Sequence, residues 1–176
     1  RQAPGARERL ANALPLVALY AVACVVYVLL GRDQPVPVIR PDEFTYGGLA
    51  RSIADGDGMT VLGDPVSLRA ALYLYLIAPA WSGASTVTAY ATAKVIGAAL
   101  ACMVVVPVWL VVRPRAGGVA ALLAAALAVA GTWMTITSRL LLENAAYPLA
   151  TASLCCVVAA LSRPGSRWGW VALGFA

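Results

Sequence analysis

The chain has no histidine. This excludes Ser–His–Asp and Cys–His catalytic arrangements, and any His-ligated metal, within its 176 residues. Charge is scarce: 12% of residues are Asp, Glu, Lys or Arg, against about a quarter in a soluble domain. Cysteine is limited to Cys24, Cys102, Cys155 and Cys156, all inside apolar runs. These suit small packing residues; neither a disulfide framework nor a metal-binding spacing is present. No Walker A loop and no dinucleotide-binding fingerprint occur, so a nucleotide-driven pump is unsupported.

What fills the chain is apolar residue, 61% of it. Ala13 to Leu30, Val95 to Val112, Ala116 to Ser138 and Asn144 to Ser162 contain no charge. Each approaches the ~20 residues that carry a helix across ~30 Å of hydrocarbon. Lipid offers no hydrogen bonds, so such runs must be helical. The expected class is an all-α integral membrane protein with spans at about 10–30, 89–112, 117–138 and 144–162. "RWGWVALGFA" reads as the start of a fifth span near 168, which makes the chain the N-terminal part of a longer protein. The first run is longer than a signal-peptide h-region and lacks a cleavage site after it, so it is expected to remain as a span.

The formal charge of +5 reports topology and not a nucleic-acid partner. Arg1, Arg7 and Arg9 precede the first span, Arg113 and Arg115 separate the second from the third, and Arg163 and Arg167 follow the fourth. The positive-inside rule makes these segments, and the N-terminus, cytoplasmic. The loop 31–69 then faces outward, in a multi-pass protein of the cell membrane. Six of the eight acidic residues lie in that loop: Asp33, Asp42, Glu43, Asp55, Asp57 and Asp64.

Arg40-Pro41 forms a helix entry, with Asp42 and Glu43 favourable at the positive helix end. Tyr46, Leu49 and Ile53 follow Asp42 at three- and four-residue spacing, which predicts an amphipathic juxtamembrane helix. Gly56 and Gly58 in "DGDG" end it. That stretch resembles the start of a calcium loop but lacks the required Gly and closing Glu, so it reads as a turn. "LRAALYLYLIAPAW" is too short to cross. It predicts an interfacial or re-entrant segment at 70–82, with Tyr73, Tyr75 and Trp81 at headgroup depth.

Asp42 and Glu43 carry the strongest chemical signal. An adjacent carboxylate pair can act as general base, hold a divalent cation, or simply keep a loop solvated. Arg51, Arg69, Lys94 and Arg139 fall on the same external side. For Lys94 and Arg139, snorkelling to the interface is the plain alternative. Arg69 precedes the short apolar segment, where a cation could grip a phosphate whose lipid tail lies along Tyr73–Trp81. Glu143 opens the fourth span and follows Arg139 at i, i+4, a spacing that also fits a local ion pair worth ~0.3–0.5 kcal/mol.

In order and spacing these features resemble the N-terminal part of GT-C membrane glycosyltransferases, specifically the polyprenyl-phosphate-sugar-dependent protein mannosyltransferase and aminoarabinose transferase group. The resemblance rests on the first span, then "RPDEFTYGGLARSIADGDG", "SLRAALYLYLIAPAW", "AYATAKVIGAALACMVVVPVWLVVR" and "SRLLLENAAYPLATA". It covers nearly the whole chain. The sequence departs from that pattern at Ala70-Ala71, where prolines are usual, and at Asn144, which follows Glu143 in place of proline.

The resemblance implies inverting transfer of a sugar from a polyprenyl-phosphate donor to an acceptor hydroxyl of a glycan, lipid or protein on the outer face. Asp42 would be the base and Glu43 would orient it or a cation. Arg69, Lys94 and Arg139 would bind the donor phosphate, and Glu143 would line the cavity from the other side. A transporter or flippase of a lipid-linked substrate is the first alternative, although it would place charges nearer the bilayer midplane. A non-catalytic membrane scaffold is the second.

Overall fold

Long runs of alanine, leucine and valine leave the backbone only its own groups to bond with, and the described residues are mostly helical. A computed structural model describes residues 6–33, 41–68, 71–131 and 139–162. Helix α1 spans Ala6–Leu30 and α2 spans Pro41–Asp55. Strands β1 (Thr60–Val61) and β2 (Asp64–Pro65) pair antiparallel. Helix α3 (Leu72–Ile77) runs into a 3₁₀ turn at Ala78–Trp81. Then come α4 (Thr86–Cys102), α5 (Val105–Val129) and α6 (Glu143–Ser162).

Among the described residues, three stretches are long and apolar enough to cross a membrane: Ala13–Leu30, Thr86–Val129 and Glu143–Ser162. Much of their outer surface is large and apolar, including Val17, Val22, Leu123, Leu127 and Leu161. Lipid removes the cost that such a surface would carry in water. The first and fourth expected spans coincide with α1 and α6. The second, 89–112, is divided between α4 and α5 by a turn at Met103-Val104. Pro107 accounts for that position: it has no N–H, and within the first turn of α5 none is needed. The third, 117–138, is helical to Val129; its part from 132, and the segment from 168, lie outside the described residues.

Within α5 the backbone leaves the helical region at Gly117, where φ is 85° and ψ 174°. Pro114 has already removed one ladder bond there. The break falls at the first residue of the third expected span.

The chain divides into two compact units. One comprises 1–25, 102–131 and 148–176. Its seam runs along Ala121, Ala125 and Val129, all buried, while Val119, Leu123 and Leu127 on the opposite side are exposed. Small residues every fourth position let helices approach closely without a hydrophobic drive from water. Arg115 donates to the Val111 carbonyl (2.6 Å) and to Ser162 Oγ (2.7 Å), and the Arg113 guanidinium lies 5.2 Å from the Trp109 ring centre.

The other unit comprises 26–101 and 132–147. Its core gathers Leu49 and Ala50 of α2, Tyr73, Leu74 and Ile77 of α3, Trp81, Ala89, Tyr90 and Ala93 of α4, and Leu140. The predicted helix at 41–55 is present, and its apolar stripe packs on α3 and the 3₁₀ turn. Tyr73 and Trp81 enter this core, leaving Tyr75 at the surface.

"DGDG" has a conformational purpose. Gly56 N–H bonds Ile53 O (3.2 Å) and Asp57 N–H bonds Ser52 O (3.0 Å). With Gly56 at φ +92°, this is a Schellman cap. The hairpin after it turns at Leu62-Gly63, both at positive φ (55° and 92°), the conformation a two-residue type I′ turn demands. Ser52 Oγ and Thr60 Oγ1 share a 2.7 Å hydrogen bond that ties helix to hairpin.

Candidate functional site

Neighbouring positions on a helix point about 100° apart, so Asp42 and Glu43 cannot share one environment. Asp42 is exposed and Glu43 is 1% exposed. Glu43 Oε1 accepts from the Tyr90 hydroxyl (3.0 Å) and from the Leu140 backbone N–H (3.2 Å). Its Oε2 is buried with no hydrogen-bond partner. A buried carboxylate needs such donors to persist, and here they come from residues 47 and 97 positions along the chain. The second unit thus binds α2 to α4 and to the strand of chain before α6.

Lys94 follows Tyr90 by one turn of α4. Its Nζ donates to the Gly31 carbonyl at the end of α1 (2.7 Å) and sits 4.9 Å from the Tyr90 ring centre. Glu43, Tyr90 and Lys94 therefore form a stack of anion, phenol and cation. Lys94 is itself buried, at 9% exposed.

Arg139 precedes α6, so it does not share a helical face with Glu143, and the i, i+4 spacing does not carry an ion pair. Such a pair forms instead on α2, where Arg51 and Asp55 lie 3.7 Å apart, both exposed. Arg139 Nε is buried and has no hydrogen-bond partner. Glu143 is exposed in the first turn of α6, favourable for a carboxylate. Arg69 lies outside the described residues.

Behind these groups is an amide absent from the sequence-based site. Asn144, 1% exposed, donates through Nδ2 to the Arg139 carbonyl (2.8 Å) and to the Tyr73 hydroxyl (3.4 Å). Gly97 makes room for it. A Cβ there would stand 2.8 Å from Asn144 Nδ2 and 3.0 Å from the Tyr73 hydroxyl. Two signals for this cluster were legible. An asparagine in an apolar helix is costly unless bonded, and Tyr90 and Lys94 share a helical face. Replacing Gly97 with alanine is expected to displace Asn144 and cost about 1–3 kcal/mol, the range for overpacking a close-fitted interior. Thermal unfolding in detergent measures it; alanine at the open position Gly48 is the control.

Burial, with the nearby charges of Glu43 and Glu143, pushes the Tyr73 hydroxyl up to about 12, against the lowering effect of its bond from Asn144. The folded state therefore holds the Tyr73 proton where the unfolded chain has lost it. Stability from this group is complete below pH ~10 and is lost as pH rises toward 12. Unfolding midpoints across that window should fall for wild type and fall less for Tyr73→Phe. Tyr46 is also raised, by burial first and then by Asp42 and Glu143. Both exposed carboxylates therefore act electrostatically on one phenol.

As a metal site the cluster is incomplete. One Glu43 oxygen is occupied by two hydrogen-bond donors, and among the described residues no group of three or more His, Cys, Asp or Glu side chains could hold an ion. What the arrangement does offer is an accessible carboxylate at Asp42, beside a buried anion–cation cluster with an open donor at Arg139. Comparison with known proteins adds nothing to this: no family model matches the chain, and no curated protein or solved structure is significantly similar to it.

Proposed function

We propose that this chain is the donor-binding part of a membrane glycosyltransferase of GT-C type, using a polyprenyl-phosphate sugar at the extracytoplasmic face. The observation carrying this reading is the division of labour in the acidic pair. Glu43 is anchored by Tyr90 and by the Leu140 N–H, while Asp42, next to it, is free to meet an acceptor.

In the proposed reaction Asp42 takes the proton of the acceptor hydroxyl. The acceptor oxygen bonds to the anomeric carbon, inverting it. The bond from that carbon to the phosphate oxygen breaks, and the polyprenyl phosphate leaves with the electron pair. Arg139 and Lys94 lie on the Glu43 side of α2 and would neutralise the departing charge, joined by Arg69. Glu143 would line the acceptor side with Asp42.

Four passages would fit this architecture. The apolar stretch Thr86–Val129 has 44 residues, about 66 Å of helix at 1.5 Å per residue. That is twice the hydrocarbon thickness, and Gly117 supplies the place to reverse. The N-terminus would be cytoplasmic and the Asp42 loop external.

The test is transfer of labelled sugar from a polyprenyl-phosphate donor, wild type against Asp42→Asn. Undiminished transfer by the variant removes the base assignment. Movement of the donor across vesicles without transfer makes the protein a transporter.

A further inference from the structure

The polar contacts around Arg139 converge on a single peptide group. The carbonyl of Arg139 and the N–H of Leu140 are the two ends of one planar amide. Asn144 Nδ2 holds the carbonyl at 2.8 Å, and Glu43 Oε1 holds the N–H at 3.2 Å. Both side chains are 1% exposed, and they come from α6 and α2. Each is braced in turn, Glu43 by the Tyr90 hydroxyl and Asn144 by the Tyr73 hydroxyl. A peptide held at both ends by buried groups cannot rotate, so the direction in which Arg139 leaves the backbone is set.

A clamp of this kind is costly to assemble, because it buries a carboxylate and an amide. Packing alone would be served as well by apolar residues of similar size. Among the described residues, the buried side-chain atoms left without a hydrogen bond are Glu43 Oε2 and Arg139 Nε. They belong to the clamp and to the residue that it aims. A buried guanidinium donor with no acceptor is the condition of a group waiting for an anion, since leaving it unmet is unfavourable.

We propose that Glu43 and Asn144 are positioning residues: by clamping the Arg139–Leu140 peptide they pre-orient Arg139 to bind the phosphate of a lipid-linked ligand. The identity of that anion rests on the transferase reading; the clamp itself does not. Gly97 belongs to the same device, because any side chain there meets Asn144 and Tyr73.

The test uses the full chain in phosphatidylcholine nanodiscs, with fluorescent polyprenyl monophosphate as the probe. Arg139→Gln is expected to weaken binding about tenfold or more, the scale of a lost charged hydrogen bond. Asn144→Leu should cost a comparable factor although it removes no group that touches the probe. The double variant should bind no worse than Arg139→Gln alone, because a disoriented Arg139 has nothing left to lose. A merely structural asparagine would instead give losses that multiply. Tyr73→Phe, a milder change that keeps the ring, should weaken binding about twofold to threefold by loosening Asn144, and it serves if Asn144→Leu does not fold.

Unchanged affinity in the folded variants, fully multiplicative losses, or no binding of the probe by wild type would each overturn the proposal. Coupled losses in a protein that transfers no sugar would leave the clamp standing and remove the transferase reading. Transfer that depends on Asp42, with binding indifferent to Asn144 and Tyr73, would do the reverse.

Discussion

Asp42→Asn is expected to slow sugar transfer by about 10²- to 10⁴-fold, the contribution of a positioned general base. The substitution keeps the shape of the side chain and removes only its capacity to take a proton. Because Asp42 is exposed, the change should leave unfolding within about 0.5 kcal/mol of wild type. Donor binding should be equally indifferent, since Arg139 and Lys94, the cations proposed to meet the phosphate, lie on the Glu43 side of α2. The signature is therefore a fall in kcat at nearly constant KM for the donor, with an unchanged unfolding midpoint. A scaffold or a transporter would show no such split, because neither needs a proton removed at this position.

Glu43→Ala should behave in the opposite way. Truncation leaves the Tyr90 hydroxyl and the Leu140 N–H buried without an acceptor, each costing about 1–3 kcal/mol. Lys94, stacked on Tyr90, also loses the anion that balances it. A total of about 3–5 kcal/mol is expected, the scale for breaking a buried charge network. Glu43→Gln retains one carbonyl oxygen for both donors and should cost much less. The buried thiols Cys102 and Cys156 make the measurement direct: a thiol-reactive dye should report unfolding at clearly lower temperature for the alanine variant, with the glutamine variant between it and wild type. Equal midpoints for all three would show that the contacts of Glu43 contribute nothing to stability.

The contrast between adjacent carboxylates marks the boundary of what could be read from sequence. Spacing from Asp42 through Tyr46, Leu49 and Ile53 placed Asp42 on the apolar stripe. The buried face in fact passes through Glu43, Leu49 and Ala50, with Tyr46 and Ile53 half-buried. Alanine is too small to weight a periodicity, so Ala50 could not draw the stripe toward itself. Two carboxylates of equal polarity gave no local reason to prefer one for burial.

The partners of Asn144 were similarly opaque, although an asparagine in an apolar helix signals that it has some. Asn144 stood where the pattern that the sequence resembles has proline, and its value lies in contacts with Arg139 and Tyr73. Gly97 looked like one more small residue in an alanine-rich helix until Asn144 and Tyr73 were seen against it. Of the short apolar segment, length gave only that it does not cross a membrane. That Tyr73 and Trp81 turn into protein was decided by α2 and α4, which cover them.

What the amino-acid order determined by itself was local and solvent-driven. Charge-free runs of about 20 residues had to become helices, since a helix satisfies its backbone within a single segment out of water. Gly56, Leu62-Gly63 and Gly117 stand where the chain had to bend. Only the tertiary structure decided which of two neighbouring acids is buried, and that an amide and a carboxylate grip one peptide beside Arg139. Those outcomes depend on partners 47 and 97 residues distant, and a buried charge is tolerable only where such distant donors arrive together.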